Sequence, residues 1–278
     1  MTSDWRLIVE ERAFDGAWNM ALDRAIHIAR AAESVPPTLR LYGWARPTVT
    51  LGRFQSTDGV DLDRCREEGI DVARRYTGGR GVLHDAEVTY SVVAGVADGI
   101  PRGTTASYRY LCAALVEAYR GLGVPAELTS RPRGERTSPA CYLHATHADV
   151  SLGALKLSGS AQVWHRDTVL QHGSFVIDRD LERESRVFGL EAEQARALAR
   201  VTTTLVTTLG IAPSRERVVE AVATAFENAL GIRLTGGDIT PGEIAIAEGL
   251  VGDTALLIHR EVRPPVSEVQ AGVDVETS

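Results

Sequence analysis

At 278 residues and 30.0 kDa, the chain has room for one large domain or for a domain with a small appendage. Its 44% hydrophobic and 24% charged residues fit a soluble globular protein and exclude a disordered or fibrous one. A net charge of −7 argues against a broad nucleic-acid or anionic-membrane surface, so neither partner is expected and any basic contact must be local. No apolar run is long enough to span a bilayer, and Met1 to Glu10 lack the basic and apolar stretches of a secretory signal. The expected location is the cytoplasm.

In chain order, Trp5 to Val9 predicts a strand. Asp15 to Glu33 predicts a helix capped by Asp15, with Trp18, Ala21, Leu22, Ala25, Ile26 and Ala29 on one face. Strands are expected at Thr38 to Trp44 and Thr48 to Gly52, then a short helix at Asp61 to Glu68 and a strand at Asp71 to Arg75. A loop over Thr77 to Gly81 precedes a strand at Glu87 to Val93, and Thr104 to Leu122 is helical. After the polar stretch Ser130 to Pro139, the run Asp149 to Ile177 predicts antiparallel strands. From Arg179 onward the pattern is helical, most clearly at Ser214 to Leu230. These elements predict an α+β fold: a mixed-sheet catalytic domain over residues 1–185, a small helical region over 186–260 and a disordered tail over 261–278.

Three segments carry candidate chemistry. The first is Arg74 to Asp85, in which Gly78, Gly79 and Gly81 let the backbone approach a ligand and its amides hold an anion or an acyl carbonyl. It lacks the Gly-Lys-Ser/Thr of a P-loop and the spacing of a dinucleotide fingerprint, and a Gly-rich turn can also be a plain hairpin. The second is Gly153 to Gln162. Arg supplies 29 of the 30 basic residues, and the sole lysine, Lys156, stands here before small residues. A desolvated lysine can give up its proton as a general base or stay charged and polarise a carbonyl, and guanidinium cannot do the former; coding bias or an exposed hairpin lysine are the plainer readings. The third is Pro139 to Asp149, where Cys141 has His144 and His147 close by. A thiol nucleophile, a zinc site and an idle loop cysteine are all compatible with it, although zinc sites usually draw on two separated knuckles, so no metal is expected. Cys65 and Cys112 form no C-x-x-C pair and read as reduced, inert thiols.

Taken together, these segments resemble the lipoate and octanoate transfer family, with biotin ligases as distant relatives. Leu39 to Trp44, Leu51 to Gln55, Arg74 to Asp85 and Thr89 to Ser91 look like its N-terminal signatures, and Lys156 to Gln162 and Gln171 to Ser174 look like its lysine hairpin and neighbouring strand. Within it the likeness is greatest to the LipM type of octanoyltransferase, in which a cysteine precedes the lysine hairpin; Cys141 has that place. Those chains carry Phe-Asp-Ala-Pro-Ser after the cysteine, whereas this one carries Tyr-Leu-His-Ala-Thr. Ala148-Asp149 stands where ligases have Asn-Asp, which favours transfer over adenylation.

The resemblance implies the biotin/lipoate ligase type of catalytic domain, with Cys141 and Lys156 catalytic. It implies substrate contacts at Arg75, Thr77, Gly78, Gly79, Arg80, Gly81, His84, Asp85, Ser158, Gly159, Ala161, His172 and Gly173. It further implies octanoyl-acyl carrier protein as donor, a lipoyl domain of glycine cleavage H protein or an E2 subunit as acceptor, and no cofactor; a monomer is the default expectation. Because carriers and lipoyl domains are acidic, a local cluster such as Arg74, Arg75 and Arg131 to Arg136 would dock them. The competing activities are an ATP-dependent lipoate-protein ligase, an octanoyl amidotransferase between lipoyl domains, and a non-catalytic acyl-binding protein.

Overall fold

A computed structural model describes residues 3–129 and 149–264. β1 (Ser3–Val9) leads into α1 (Gly16–Ala31), whose cap Asp15 accepts the Trp18 amide at 2.8 Å. Then follow β2 (Thr38–Tyr42), β3 (Thr48–Leu51), α2 (Leu62–Glu68), β4 (Asp71–Arg74), β5 (Val82–His84), β6 (Glu87–Gly95) and α3 (Thr104–Gly121). β7 (Glu127–Thr129) and β8 (Asp149–Leu152) flank the undescribed stretch. β9 (Leu155–Ser158), β10 (Ser160–His165) and β11 (Thr168–Val176) are the antiparallel strands expected there. The C-terminal part holds α4 (Leu181–Val187), α5 (Ala192–Val201), α6 (Leu205–Leu209), α7 (Arg215–Leu230), β12 (Ile232–Gly236), α8 (Pro241–Thr254) and β13 (Ala255–Leu257).

The architecture is α+β, as the element order implied. The large sheet runs β10-β11-β6-β2-β1-β12, with β1 parallel to both of its neighbours and the rest antiparallel. A second sheet runs β13-β4-β3-β5 and a third β7-β8-β9. One hydrophobic core lies between the large sheet and the helices α3 and α7, with Trp5, Leu41, Tyr90, Leu115, Tyr119, Phe175 and Phe226 fully enclosed. A second is built on Trp18, Leu22 and Ile26 of α1, which packs against α8, β4, β6 and β11. Because α1 is covered on nearly every side, its polar residues Asn19, Asp23 and His27 are buried along with its apolar ones.

The C-terminal region is more than a helical appendage. Ile232–Gly236 adds a strand beside β1, and Ala255–Leu257 adds one beside β4. Each run is five residues or fewer and adjoins a helix, so its period-two signal is short. Glu261 to Pro264 are described, and the Val262 amide donates to Asp15 at 2.9 Å; residues 265–278 of the expected tail lie outside the described residues.

A buried ion pair fastens α8 to the sheet. Arg6 on β1 donates bidentately to Glu243, with Nη1 2.9 Å from Oε2, and also to Thr38 Oγ1 and the Asp238 carbonyl. Burial works against the Glu243 carboxylate, but Arg6 and the Thr240 cap outweigh it and hold its pKa below the ordinary value. Glu243→Ala would strand a buried guanidinium, so a loss of about 3–5 kcal/mol in urea unfolding is expected; a change under about 1 kcal/mol would contradict this role.

Candidate active site

The glycine loop is shaped by Arg75, whose side chain is buried. Its guanidinium donates to the Thr50 carbonyl at 2.8 Å, to Gly78 O at 2.9 Å and to Arg80 O at 2.7 Å. Arg75 therefore acts as a clamp on the loop carbonyls and sits too deep to belong to a docking surface. Gly79 has φ of +102°, and a Cβ there would come within 2.8 Å of the Arg75 Nη2, so both backbone and space require glycine.

Beside this loop lies a cavity of about 100 Å³ between β3, β5, β10 and β11. Met20, Tyr42, Trp44, Val82 and Ala161 give it an apolar wall, and Gly79, Gly159 and Gly173 give it room. Gly173 permits the close approach of β10, since a Cβ would fall 2.5 Å from the Gly159 carbonyl oxygen. Arg75, Thr50, His84, His172 and Ser174 supply polar groups.

Two histidines face this cavity in matching environments. His172 on β11 has Nδ1 2.9 Å from Asp23 Oδ2 and Nε2 2.7 Å from the Thr77 hydroxyl. A carboxylate can only accept, so Nδ1 carries the proton and Thr77 donates to Nε2. Asp23 also accepts from Arg40 at 2.9 Å and from Tyr42 at 3.0 Å, and Arg40 continues to Glu10 at 3.0 Å. His84 has Nδ1 2.8 Å from Glu87 and Nε2 2.9 Å from Thr50, and it stacks on Trp44 at 4.3 Å. The Glu87 carboxylate further accepts from Ser174 at 2.7 Å.

The electrostatics follow from these contacts. Burial pulls the His172 pKa below the ordinary 6.5 despite the nearby Asp23, so the ring is neutral at neutral pH. Burial opposes the Asp23 charge, yet the hydrogen bond from His172 and the charge of Arg40 keep its pKa below the usual value. Glu87 behaves alike: His84, Thr89 and Ser174 outweigh its desolvation. His172 has its Nε2 lone pair occupied by the Thr77 hydroxyl, which makes it a structural acceptor rather than a ready base.

Lys156 lies on β9 with 5% of its surface exposed, unlike a solvated hairpin lysine, and its carbonyl accepts the Thr203 amide at 3.1 Å. Ser158, two residues on, donates to the Ser174 carbonyl at 2.8 Å and so ties β9 to the cavity strand. Of the other residues singled out from sequence, Arg75, Gly79, His84, Gly159, Ala161, His172 and Gly173 meet at the cavity. Thr77 reaches it through His172. Gly78 is exposed, Arg80 is half-buried, and Gly81 packs so tightly on Phe188 that a Cβ would come within 2.6 Å of its ring. Asp85 turns outward to pair with Arg183 at 2.7 Å. Cys141, with His144, His147 and Arg131 to Arg136, lies outside the described residues. Cys65 and Cys112 are buried, and burial pushes the Cys65 thiol up to about 11, which suits neither for attack.

Residues 15–230 match the family described as the lipoyl protein ligase A/B catalytic domain. The chain belongs to this family. Octanoyltransferase LipM of Kyrpidia tusciae is 40% identical to it over 261 residues, 89% of this chain and 94% of that relative. Octanoyltransferase LipM of Symbiobacterium thermophilum is 39% identical over 263 residues, covering 90% and 95%. Among solved structures, lipoate-protein ligase A bound with ATP aligns with a TM-score of 0.73 at 27% identity, over 90% of this chain and 94% of that one. A bi-partite lipoate protein ligase from Thermoplasma acidophilum gives the same TM-score and identity, over 90% and 92%.

Sequence reasoning missed several residues of this family member's site: Asp23, Tyr42, Trp44, Thr50, Glu87 and Ser174. One signal was present. Asp15, Asn19, Asp23 and His27 recur every four residues along α1, a polar stripe that only a helix enclosed on all sides would bury.

The site sets a pH dependence. Below the ordinary 6.5 and down to the depressed native value, the unfolded chain binds a proton at His172 that the folded chain refuses. Stability is full above that window and falls as pH drops through it, by up to about 1.4 kcal/mol per pH unit. Asp23 adds a loss of the same sign only below its ordinary 3.8. Urea unfolding of His172→Gln should show a shallower decline from pH 7 to 5.5, with a residual slope from buried His27, whose pKa is also lowered by burial. An unchanged slope would contradict the assignment.

Proposed function

We propose that this chain is an octanoyltransferase of protein lipoylation. In this reading it takes octanoate from an acyl carrier protein onto Cys141 and passes it to a lysine of a lipoyl domain, on glycine cleavage H protein or an E2 subunit. The observation that carries the reading is the 40% identity, over nearly full length, to an octanoyltransferase. The cavity agrees with it. An apolar wall beside glycines suits an acyl chain, and the hydrogen bonds of Arg75 are spent on loop carbonyls rather than aimed at a phosphate or carboxylate.

The chemistry proceeds in two displacements. The Cys141 thiolate adds to the donor's thioester carbonyl; the carbon–sulfur bond to the carrier breaks, and the carrier thiolate leaves and takes up a proton. Thioester exchange is close to isoenergetic, so no nucleotide is consumed. The acceptor lysine amine then adds to the acyl-enzyme, the bond to Cys141 breaks, and a stable amide forms. Lys156 stabilises the thiolate and the oxyanion as a cation, or accepts the proton the amine must shed. Gly79 of the loop held by Arg75 lines the acyl site.

Intact-mass spectrometry tests this reading. Incubation with octanoyl-acyl carrier protein should add one octanoyl group, and Cys141→Ser should add none. Pyrophosphate release from ATP and lipoate without any adduct would instead indicate ligase chemistry, and an adduct on Cys65 or Cys112 would overturn the choice of nucleophile.

A further inference from the structure

Next to the glycine loop the surface carries an arginine and aromatic rim. Phe54 is 88% exposed, the most exposed large apolar side chain among the described residues. The guanidinium of Arg53 lies 5.2 Å from the Phe54 ring centroid and 4.7 Å from that of Tyr76, and Arg24 of α1 lies 4.8 Å from the same Tyr76 ring. Guanidinium groups held over aromatic faces keep their in-plane N–H donors for another partner. Arg24 also meets Asp253 at 3.2 Å, but that carboxylate is 68% exposed, so the pair is weakly held.

This rim is joined rigidly to the active site. The Arg53 amide donates to the Thr77 carbonyl at 2.9 Å, and Arg74 donates to the carbonyls of Gly52 at 3.0 Å and Gln55 at 2.8 Å. Gly52 lies so close to Gly79, a cavity residue, that a Cβ would come within 2.2 Å of the Gly79 oxygen. A protein seated on Arg53 and Phe54 therefore has a fixed relation to the cavity mouth.

We infer that this rim docks an acidic face of the acceptor lipoyl domain, an inference that rests on the octanoyl-transfer reading above. Charge supplies the first argument. With a net charge of −7 the chain as a whole repels an acidic protein, and a local pair of arginines selects the orientation. Reach supplies the second. A carrier presents its thioester on a long pantetheine arm and can dock at a distance, whereas an acceptor lysine has four methylenes and requires its domain at the mouth itself. An exposed aromatic beside arginines is also the composition of binding hot spots.

The test uses the full chain and apo glycine cleavage H protein as the probe. Calorimetric titration of wild type, Arg53→Glu and Phe54→Ser should show affinity falling about tenfold or more in both variants, and wild-type binding weakening as salt rises. The rate of Cys141 acylation by octanoyl-acyl carrier protein should stay within about twofold of wild type, since these side chains lie outside the cavity lining. Unchanged affinity for the H protein in Arg53→Glu would overturn the inference, as would loss of carrier-dependent acylation in proportion, which would assign the rim to the donor. If wild type forms no acyl-enzyme, the transfer reading falls, and the calorimetric comparison still decides the rim.

Discussion

The buried carboxylate of Asp23 is the constraint on which the site depends. It accepts from Arg40 and Tyr42 of β2 and from His172 of β11, while it is itself carried on α1, so one side chain joins two neighbouring elements to a third that lies 149 residues away in sequence. Buried alone, such a charge would cost several kcal/mol. Its three donors compensate that cost only when helix and strands are in register, and the pairing therefore specifies their arrangement. Through His172 the same chain reaches Thr77 and so the glycine loop.

The second histidine repeats the logic with Glu87 as its carboxylate and Thr50 as its hydroxyl. Thr50 is the point where the two supports meet, since its hydroxyl contacts His84 at 2.9 Å and Arg75 at 3.2 Å. The polar groups around the cavity are thus tied to one another and to the loop. What they offer a ligand is a preorganised, largely apolar recess with Gly79 of the loop at its wall, an environment suited to a neutral carbonyl and an alkyl chain. In the proposed mechanism the lysine on β9 and the cysteine before β8 bear the reactive chemistry, beside a scaffold whose family includes both octanoyltransferases and lipoate-protein ligases.

Much of this was legible in the sequence because it rests on local signals. Asp15 capping α1, the apolar period of α1 and α3, and the alternating strands after Asp149 are each encoded within a dozen residues. The glycine loop, the single lysine and the His172 segment could be picked out by composition, and the family resemblance grouped them. What the sequence did not disclose depends on pairing across the fold. Arg75 looks like a ligand-binding charge until its carbonyl partners are seen, Asp85 adjoins His84 in sequence yet faces Arg183, and β12 and β13 acquire their meaning only from β1 and β4. Asp23 was hidden because a carboxylate in a helix reads as a solvent face until both sides of the helix are known to be covered.

The central claim is that an acyl-enzyme is a true intermediate and not a side product. The direct measurement is to isolate the chain after exposure to octanoyl-acyl carrier protein, free it of donor, and add apo lipoyl domain without ATP. The account predicts that octanoate leaves the enzyme and appears as an amide on the acceptor lysine in a single turnover. An adduct that persists while the acceptor remains unmodified would contradict it.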